Sequence, residues 1–408
     1  MDRSVVPQAT QPLPDPAEAP PPARPEVESL RAYSAPLEGR RGLLRLDFNE
    51  NTVGPSPKVV AAIRAIAAEQ YAVYPEYDGL REAVVASLAA TAGAGAPGGF
   101  PGLGADHIGL FNGVDAAIHA VFHAYGDRGD RLLTTSPTFG YYDPCARMQG
   151  MAIEAIPYVV PGFGFPLAAI RAALAAPEPP RLLLLCNPNN PTGTRLAAEQ
   201  VLELAAAAPR TLVVVDELYE AFTGDSVLPV LAERARAAAA QAPGAQLPAA
   251  ADPFAAFPNL LVLRSLAKTA GLAGLRIGFA IGSPAVVDRV SRVTGPYDIN
   301  SFAVSAAFAA LGDQAYVDGY VAEVLRARDW LAMQLQAAAV RHHLAGGNYL
   351  LLWPKADPAL VEARLRDEAG ILVRSMAGKP LLDGCLRVSI GTLEQMERFW
   401  EAWRRIEG

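Results

Sequence analysis

The chain has 408 residues, 51% of them hydrophobic and 19% charged, with a formal net charge of −7. That length holds about two domains and a large core, and the negative balance argues against nucleic acid and anionic membrane surfaces as partners. Three cysteines and five histidines, with no ligand spacing among them, predict no metal centre and a reducing compartment, the cytoplasm. No apolar stretch reaches the ~20 residues that cross a bilayer. The N-terminus lacks the basic start and apolar block expected of a signal peptide.

Residues 1–28 are rich in Pro and Ala and almost free of bulky apolar side chains. They bury too little surface to offset their ordering entropy, so a disordered tail is expected. Residues 29–70 are expected to form an N-terminal arm that joins a smaller domain. Residues 71–295 are expected to form a large domain, and 296–408 a C-terminal small one. Ala90 to Gly104 and Ala232 to Pro258 read as insertions, the second beginning as an Ala/Arg helix.

Between these lie short apolar runs that stop at polar residues or glycine. They are Ile108–Phe111, Arg131–Thr135, Leu182–Cys186, Leu212–Val215, Leu260–Leu263 and Ile277–Ile281. Near-continuous apolar strands alternating with helical patterns predict a mostly parallel sheet covered on both faces, an α/β fold. After about Pro296, long helical patterns precede the strand-like Tyr349–Leu352 and Leu386–Ile390. That reads as a smaller α+β domain. Ligands of parallel sheets sit beyond the carboxyl ends of the strands, so the residues after each run carry the argument.

After Phe111, Gly113 opens a helix at Val114 and Asp115. Free N–H groups there suit an anion, although an ordinary helix start explains the piece equally well. Phe139, after Ser136-Pro137-Thr138, is a core aromatic or a ring that lies flat on a heteroaromatic ligand. Asn187-Pro188-Asn189-Asn190-Pro191 places three asparagines at a strand end, which a turn alone does not require. Asp216 ends a buried run, where a carboxylate is costly unless paired. A structural arginine or a protonated pyridine nitrogen would serve, and Tyr219 follows three residues on.

Lys268 is one of only four lysines, with Lys58, Lys355 and Lys379, and the other three lie in surroundings that look exposed. It follows the run Leu260–Leu263 and shares its loop with Ser265 and Arg276. A cofactor with an aldehyde and a phosphate needs that set: an amine for the aldehyde, a hydroxyl and a guanidinium for the phosphate.

Taken together, these pieces resemble the fold-type-I aminotransferases of class I and II, and within them the histidinol-phosphate aminotransferases. The likeness runs from about Tyr33 to the C-terminus, outside the tail and the two insertions. It is carried by Asn49-Glu50-Asn51, Gly54-Pro55-Ser56-Pro57, Leu80-Arg81-Glu82-Ala83, Asn187 to Gly193, and Gly271 to Arg276. It implies a large domain built on a mostly parallel seven-stranded sheet, a smaller α+β domain, and pyridoxal 5′-phosphate as cofactor.

The resemblance also implies roles. Lys268 is the Schiff-base lysine and proton shuttle. Asp216 pairs with the pyridine nitrogen, Asn190 and Tyr219 bond the 3-hydroxyl oxygen, and Phe139 stacks on the ring. Gly113, Val114, Asp115, Ser265 and Arg276 hold the phosphate. Tyr74 reaches the cofactor of a neighbouring subunit, which implies a homodimer. Arg387 grips the substrate carboxylate, and Tyr33, Asn49 and Arg374 meet the rest of the substrate.

An amine donor and a 2-oxo acid, 2-oxoglutarate or its product glutamate, are the implied partners. Aromatic or pathway-specific amino-acid transamination is the alternative, as is a decarboxylase, lyase or cyclase on the same scaffold. A ligand-binding protein that has lost activity has no use for the lysine. The chain departs from the family pattern at Thr52-Val53, Val73, Ala267 and around Thr294.

Overall fold

The computed structural model describes residues 20–30, 38–92, 99–241 and 252–407. Strand β1 (Leu44–Arg45) precedes the seven strands of the main sheet. These are β2 (Ile108–Phe111), β3 (Arg131–Ser136), β4 (Ala152–Pro157), β5 (Leu182–Cys186), β6 (Leu212–Asp216), β7 (Leu260–Ser265) and β8 (Gly278–Gly282). Their order is β2-β8-β7-β6-β5-β3-β4, and β8 alone runs against its neighbours β2 and β7. The expected α/β class and the mostly parallel seven-stranded sheet are therefore present.

Every residue of β5, β6 and β8 is buried, which is why those strands read as unbroken apolar runs. Strand β4 lies at the sheet edge with alternating exposure. It carries Glu154 rather than an apolar block, so it gave no run to find. The helix Val114–Tyr125 covers one face, burying Val114, Ala117, Ile118, Val121 and Phe122 at helical spacing.

The smaller unit holds β9 (His342–His343), β10 (Tyr349–Leu352), β11 (Ile371–Leu372), β12 (Arg374–Ser375) and β13 (Leu386–Ser389). Four of these form an antiparallel sheet in the order β12-β13-β10-β9, and β11 pairs parallel with β1. The closing helix Leu393–Glu407 buries Met396, Phe399, Trp400, Trp403 and Ile406 in the same core as Leu44 and Leu46.

Two boundaries differ from expectation. Helix Ser301–Leu311 buries Ala303, Ala306, Ala307 and Ala310 in the core of the main sheet, not that of the smaller unit. The cores part company only at helix Gln314–Ala337, whose Tyr320, Val324 and Leu331 belong to the smaller one. Residues 29–70 are likewise divided, since Val59 packs with the main sheet.

The end of the expected disordered tail is also corrected. Pro25–Glu28 forms one helical turn, with Glu26 paired to Arg128 and Arg24 donating to the Met148 carbonyl at 2.9 Å. Proline at the first helical turn and two glutamates there explain the turn locally. Residues 1–19 and the middles of both insertions lie outside the described residues. Phe254 and Phe257, in the second insertion, are buried in the main core.

Candidate active site

The polar residues at the strand ends converge on two joined spaces. An inner cavity of about 120 Å³ is lined by Asp216, Lys268, Ser265, Arg276 and the start of the helix at Val114. An outer cleft of about 780 Å³ is lined by Phe48, Arg374, Lys379 and Arg387. Phe139, Asn190, Tyr219 and Lys268 face both. The arrangement follows from the sheet: β3, β5, β6 and β7 all point their carboxyl ends here.

Asp216 sits at the floor, 2% exposed. It accepts from the Tyr142 hydroxyl at 2.7 Å and the Leu218 N–H at 3.2 Å. Among the described residues no arginine, lysine or histidine pairs with it, so the structural-arginine alternative is excluded within them. Burial raises its pKa from 3.8 to about 6, against the help of those two bonds. A buried carboxylate without a cation is unfavourable by itself. It fits a cationic ring nitrogen held opposite.

The Lys268 amine donates to the Phe48 carbonyl at 2.9 Å. Burial, followed by the positive charge of Arg387, lowers its pKa from 10.5 to about 8. A fraction of the amine is therefore neutral and nucleophilic near neutral pH.

Tyr219 accepts from Asn49 at 3.0 Å and Asn190 at 3.3 Å, and burial pushes its phenol well up. It stays a hydroxyl that can donate. The carbonyl oxygen of the Asn190 amide accepts from Arg387 at 2.6 Å, and Arg387 also donates to the Asp47 carbonyl. The Nε of Arg387 is buried with no partner, a donor available to an anion. Asn49 is fixed by Ser389, which bonds both its N–H at 2.8 Å and its side-chain oxygen at 2.9 Å. Burial lowers the pKa of Arg387, although a guanidinium is ordinarily charged throughout the physiological range.

At the other end of the inner cavity Arg276 pairs with Asp115 at 3.2 Å, both side chains half exposed. Gly113 precedes the helix with φ 81° and ψ 166°, and no side chain caps the helix start. The uncapped N–H groups, the Ser265 hydroxyl and Arg276 make a cradle suited to a phosphate. Gly113 is required by its backbone conformation, and a side chain there would also push Arg276 out of the cradle. Its backbone conformation is nearly exclusive to glycine, and a Cβ there would lie 2.6 Å from the Arg276 guanidinium. Gly113→Ala is expected to cost about 1–3 kcal/mol of stability and to weaken pyridoxal phosphate binding. Denaturant unfolding and a cofactor titration check both.

A model of the family described as aminotransferase class I and II matches residues 41–402. The chain belongs to the aminotransferase class I and II family. It is similar to histidinol-phosphate aminotransferases, being 32% identical to that of Roseiflexus castenholzii over 94% of this chain and 97% of the relative. To that of Geotalea uraniireducens it is 31% identical, over 89% and 92%. The solved histidinol-phosphate aminotransferase of Sinorhizobium meliloti, in complex with pyridoxal-5′-phosphate, shares its fold with a TM-score of 0.77, 24% identity, and coverage of 95% and 99%. The chain is thus a pyridoxal phosphate-dependent aminotransferase, and the cation-free Asp216, the amine of Lys268 and the Gly113 cradle fit that cofactor.

Most of the residues singled out in the aminotransferase's sequence do meet here. Tyr33 lies outside the described residues. Tyr74 is 70% exposed and stacks on Tyr297 at 4.1 Å, away from the cavities of its own chain. Val53, Val73 and Thr294, three departures from the family pattern, line neither cavity.

Sequence reasoning missed Tyr142, the Phe48 and Asp47 carbonyls, and Lys379. Phe48 meets two guanidinium groups, with Arg40 4.3 Å and Arg374 5.4 Å from its ring centre. Its place next to Asn49-Glu50-Asn51 was the available signal. Lys379 is exposed, as its surroundings suggested, yet it lines the outer cleft.

Proposed function

We propose that this enzyme transfers the amino group of histidinol phosphate to 2-oxoglutarate, a step of histidine biosynthesis, as a cytoplasmic homodimer. Pyridoxal phosphate supplies an aldehyde that takes up the amino group and a ring that withdraws electrons from the bond being broken. Lys268 holds the cofactor and, once displaced, moves a proton at the substrate α-carbon. Asp216 keeps the ring nitrogen protonated. Asn190 and Tyr219 orient the 3-hydroxyl side, and Phe139 packs on the ring face. The N–H groups after Gly113, at Val114 and Asp115, hold the phosphate with Ser265 and Arg276.

Arg387 binds the α-carboxylate of the acceptor, while Arg374 and Tyr33 meet the donor; Asn49, expected to join them, lines neither cavity and instead positions Tyr219 through its hydrogen bond. Tyr74 serves the partner's site. Its exposure beside Tyr71, Val73, Tyr297 and Phe302 supports a contact between copies.

The observation that carries the donor assignment is Arg374. It faces the outer cleft beside Arg387, its register partner across β12 and β13. Among the described residues it has no carboxylate partner. Histidinol phosphate has a phosphate and no carboxylate, so the two arginines should divide the half-reactions. Arg374→Ala is expected to slow the histidinol phosphate half-reaction by about 1.5–3 kcal/mol, the loss of one charge-assisted contact.

Arg387→Ala is expected to act mainly on 2-oxoglutarate. It also releases the Asn190 amide, so the ratio of the two single-turnover rates decides, not either rate alone. Damage to both half-reactions by Arg387→Ala, with poor reaction of histidinol phosphate in the unmodified enzyme, would assign an ordinary amino acid as donor.

A further inference from the structure

Lys379 lies in the loop from Met376 to Cys385, which joins β12 to β13 across the mouth of the cleft. Turn bonds hold its backbone on both sides: its N–H donates to Met376 at 3.0 Å and its carbonyl accepts from Leu382 at 3.2 Å. The side chain reaches over to the opposite wall. Its Nζ lies 3.3 Å from where a Cβ on Gly140 would sit, in the loop that follows β3. Among the described residues the ammonium has no hydrogen bond and no ion pair. Such a lysine could be merely solvated; its position over the cleft and the charges around it argue for more.

Five cations line the cleft: Arg147, Lys268, Arg374, Lys379 and Arg387. Its one acid, Asp143, is taken up by Arg147 through two bonds, at 2.6 and 3.0 Å. Lys268 is committed to the cofactor and Arg387 to a carboxylate. Two cations without an ion pair among the described residues remain for the outer end, Arg374 on one wall, with the opposing charge of Glu362 near it, and Lys379 across the mouth. A carboxylate or an amide of the same shape needs one or none of them. A phosphate monoester carries close to two negative charges at neutral pH and has acceptor oxygens on several sides.

We infer that Lys379 is a specificity-determining residue, the second cation through which the outer cleft selects a phosphate monoester dianion over a singly charged or neutral end group. The inference rests on the aminotransferase reading above and deepens it. Arg374 grips in a plane, and Lys379 adds a point charge on a flexible stem that bridges to the terminal group once it is seated.

The test compares the unmodified enzyme with Lys379→Ala and Lys379→Arg, using histidinol phosphate and histidinol as donors. Lys379→Ala is expected to raise KM for histidinol phosphate about 5–10-fold, as one partly exposed charge-assisted contact would. The change for histidinol should be far smaller, kcat should be held, and Lys379→Arg should restore most of the loss. Equal KM changes for both donors, or none, would overturn the role of Lys379.

If the unmodified enzyme does not react with histidinol phosphate, the donor assignment fails separately. Lys379 is then read by inorganic phosphate as a competitive inhibitor of the glutamate half-reaction. A weaker inhibition in Lys379→Ala supports the cation site, and an unchanged inhibition constant removes it.

Discussion

Lys268→Ala is expected to lower transamination by roughly 10⁴-fold or more, because one amine is asked to hold the cofactor and to carry the proton. After borohydride reduction of the loaded enzyme, the cofactor mass should appear on the peptide that contains Lys268. In Lys268→Ala it should appear on no peptide. Stable attachment at Lys58, Lys355 or Lys379 would sink the assignment. The rate of covalent loading should also depend on pH. Burial beside Arg387 lowers the Lys268 pKa to about 8, so the protonated, unreactive amine dominates below that value. Loading should quicken about tenfold per pH unit up to about 8 and level off above it. A plateau reached only near pH 10 would mean that the amine is not buried as described.

How much of this could be read beforehand depended on where the information sits. The strands that carry Asn190, Asp216 and Lys268 are buried on both faces, so each is an apolar run with a polar stop, visible without any tertiary knowledge. Edge strand β4 satisfies the same sheet with half-exposed side chains and left no such mark. Phe48 and Asp47 act through backbone carbonyls, which every residue has, and no side-chain pattern reports them.

Tyr142 was hidden for another reason. It begins a short helix and turns its hydroxyl to Asp216, 74 positions away in the chain. Only the pairing of β3 with β5 and β5 with β6 brings the two together. Lys379 was read as a surface lysine, and by exposure it is one. Its importance arises from a loop of the smaller unit that closes over the large one. Helix Ser301–Leu311 is made largely of alanine and small apolar residues, a composition that suits either core, so its allegiance was not written in its own sequence.

Asp216→Asn is expected to make the unloaded protein more stable and the enzyme far less active. The rise of the Asp216 pKa from 3.8 to about 6 corresponds to roughly 3 kcal/mol against the ionised form, as an order of magnitude. The folded chain holds this proton more tightly than the unfolded chain does. The site is therefore favourable below about pH 4 and loses that contribution as pH rises through about 6. At neutral pH the unpaired carboxylate opposes folding. Asparagine removes the charge: its oxygen can still accept from the Leu218 N–H, and its NH2 can donate to the Tyr142 oxygen once that hydroxyl turns its hydrogen away. The unloaded variant should melt several degrees higher at pH 7.5, and the difference should shrink towards pH 4.

With pyridoxal phosphate bound, the order reverses. The carboxylate is then the group that keeps the ring nitrogen protonated, and its removal should slow both half-reactions on the order of 10²–10³-fold, as losing a buried electrostatic stabiliser does. Loading should also raise the melting temperature less in the variant than in the parent. A variant that is less stable when unloaded would show that the carboxylate has a cationic partner in the folded chain. Full activity in Asp216→Asn would show that this carboxylate does not face the ring nitrogen.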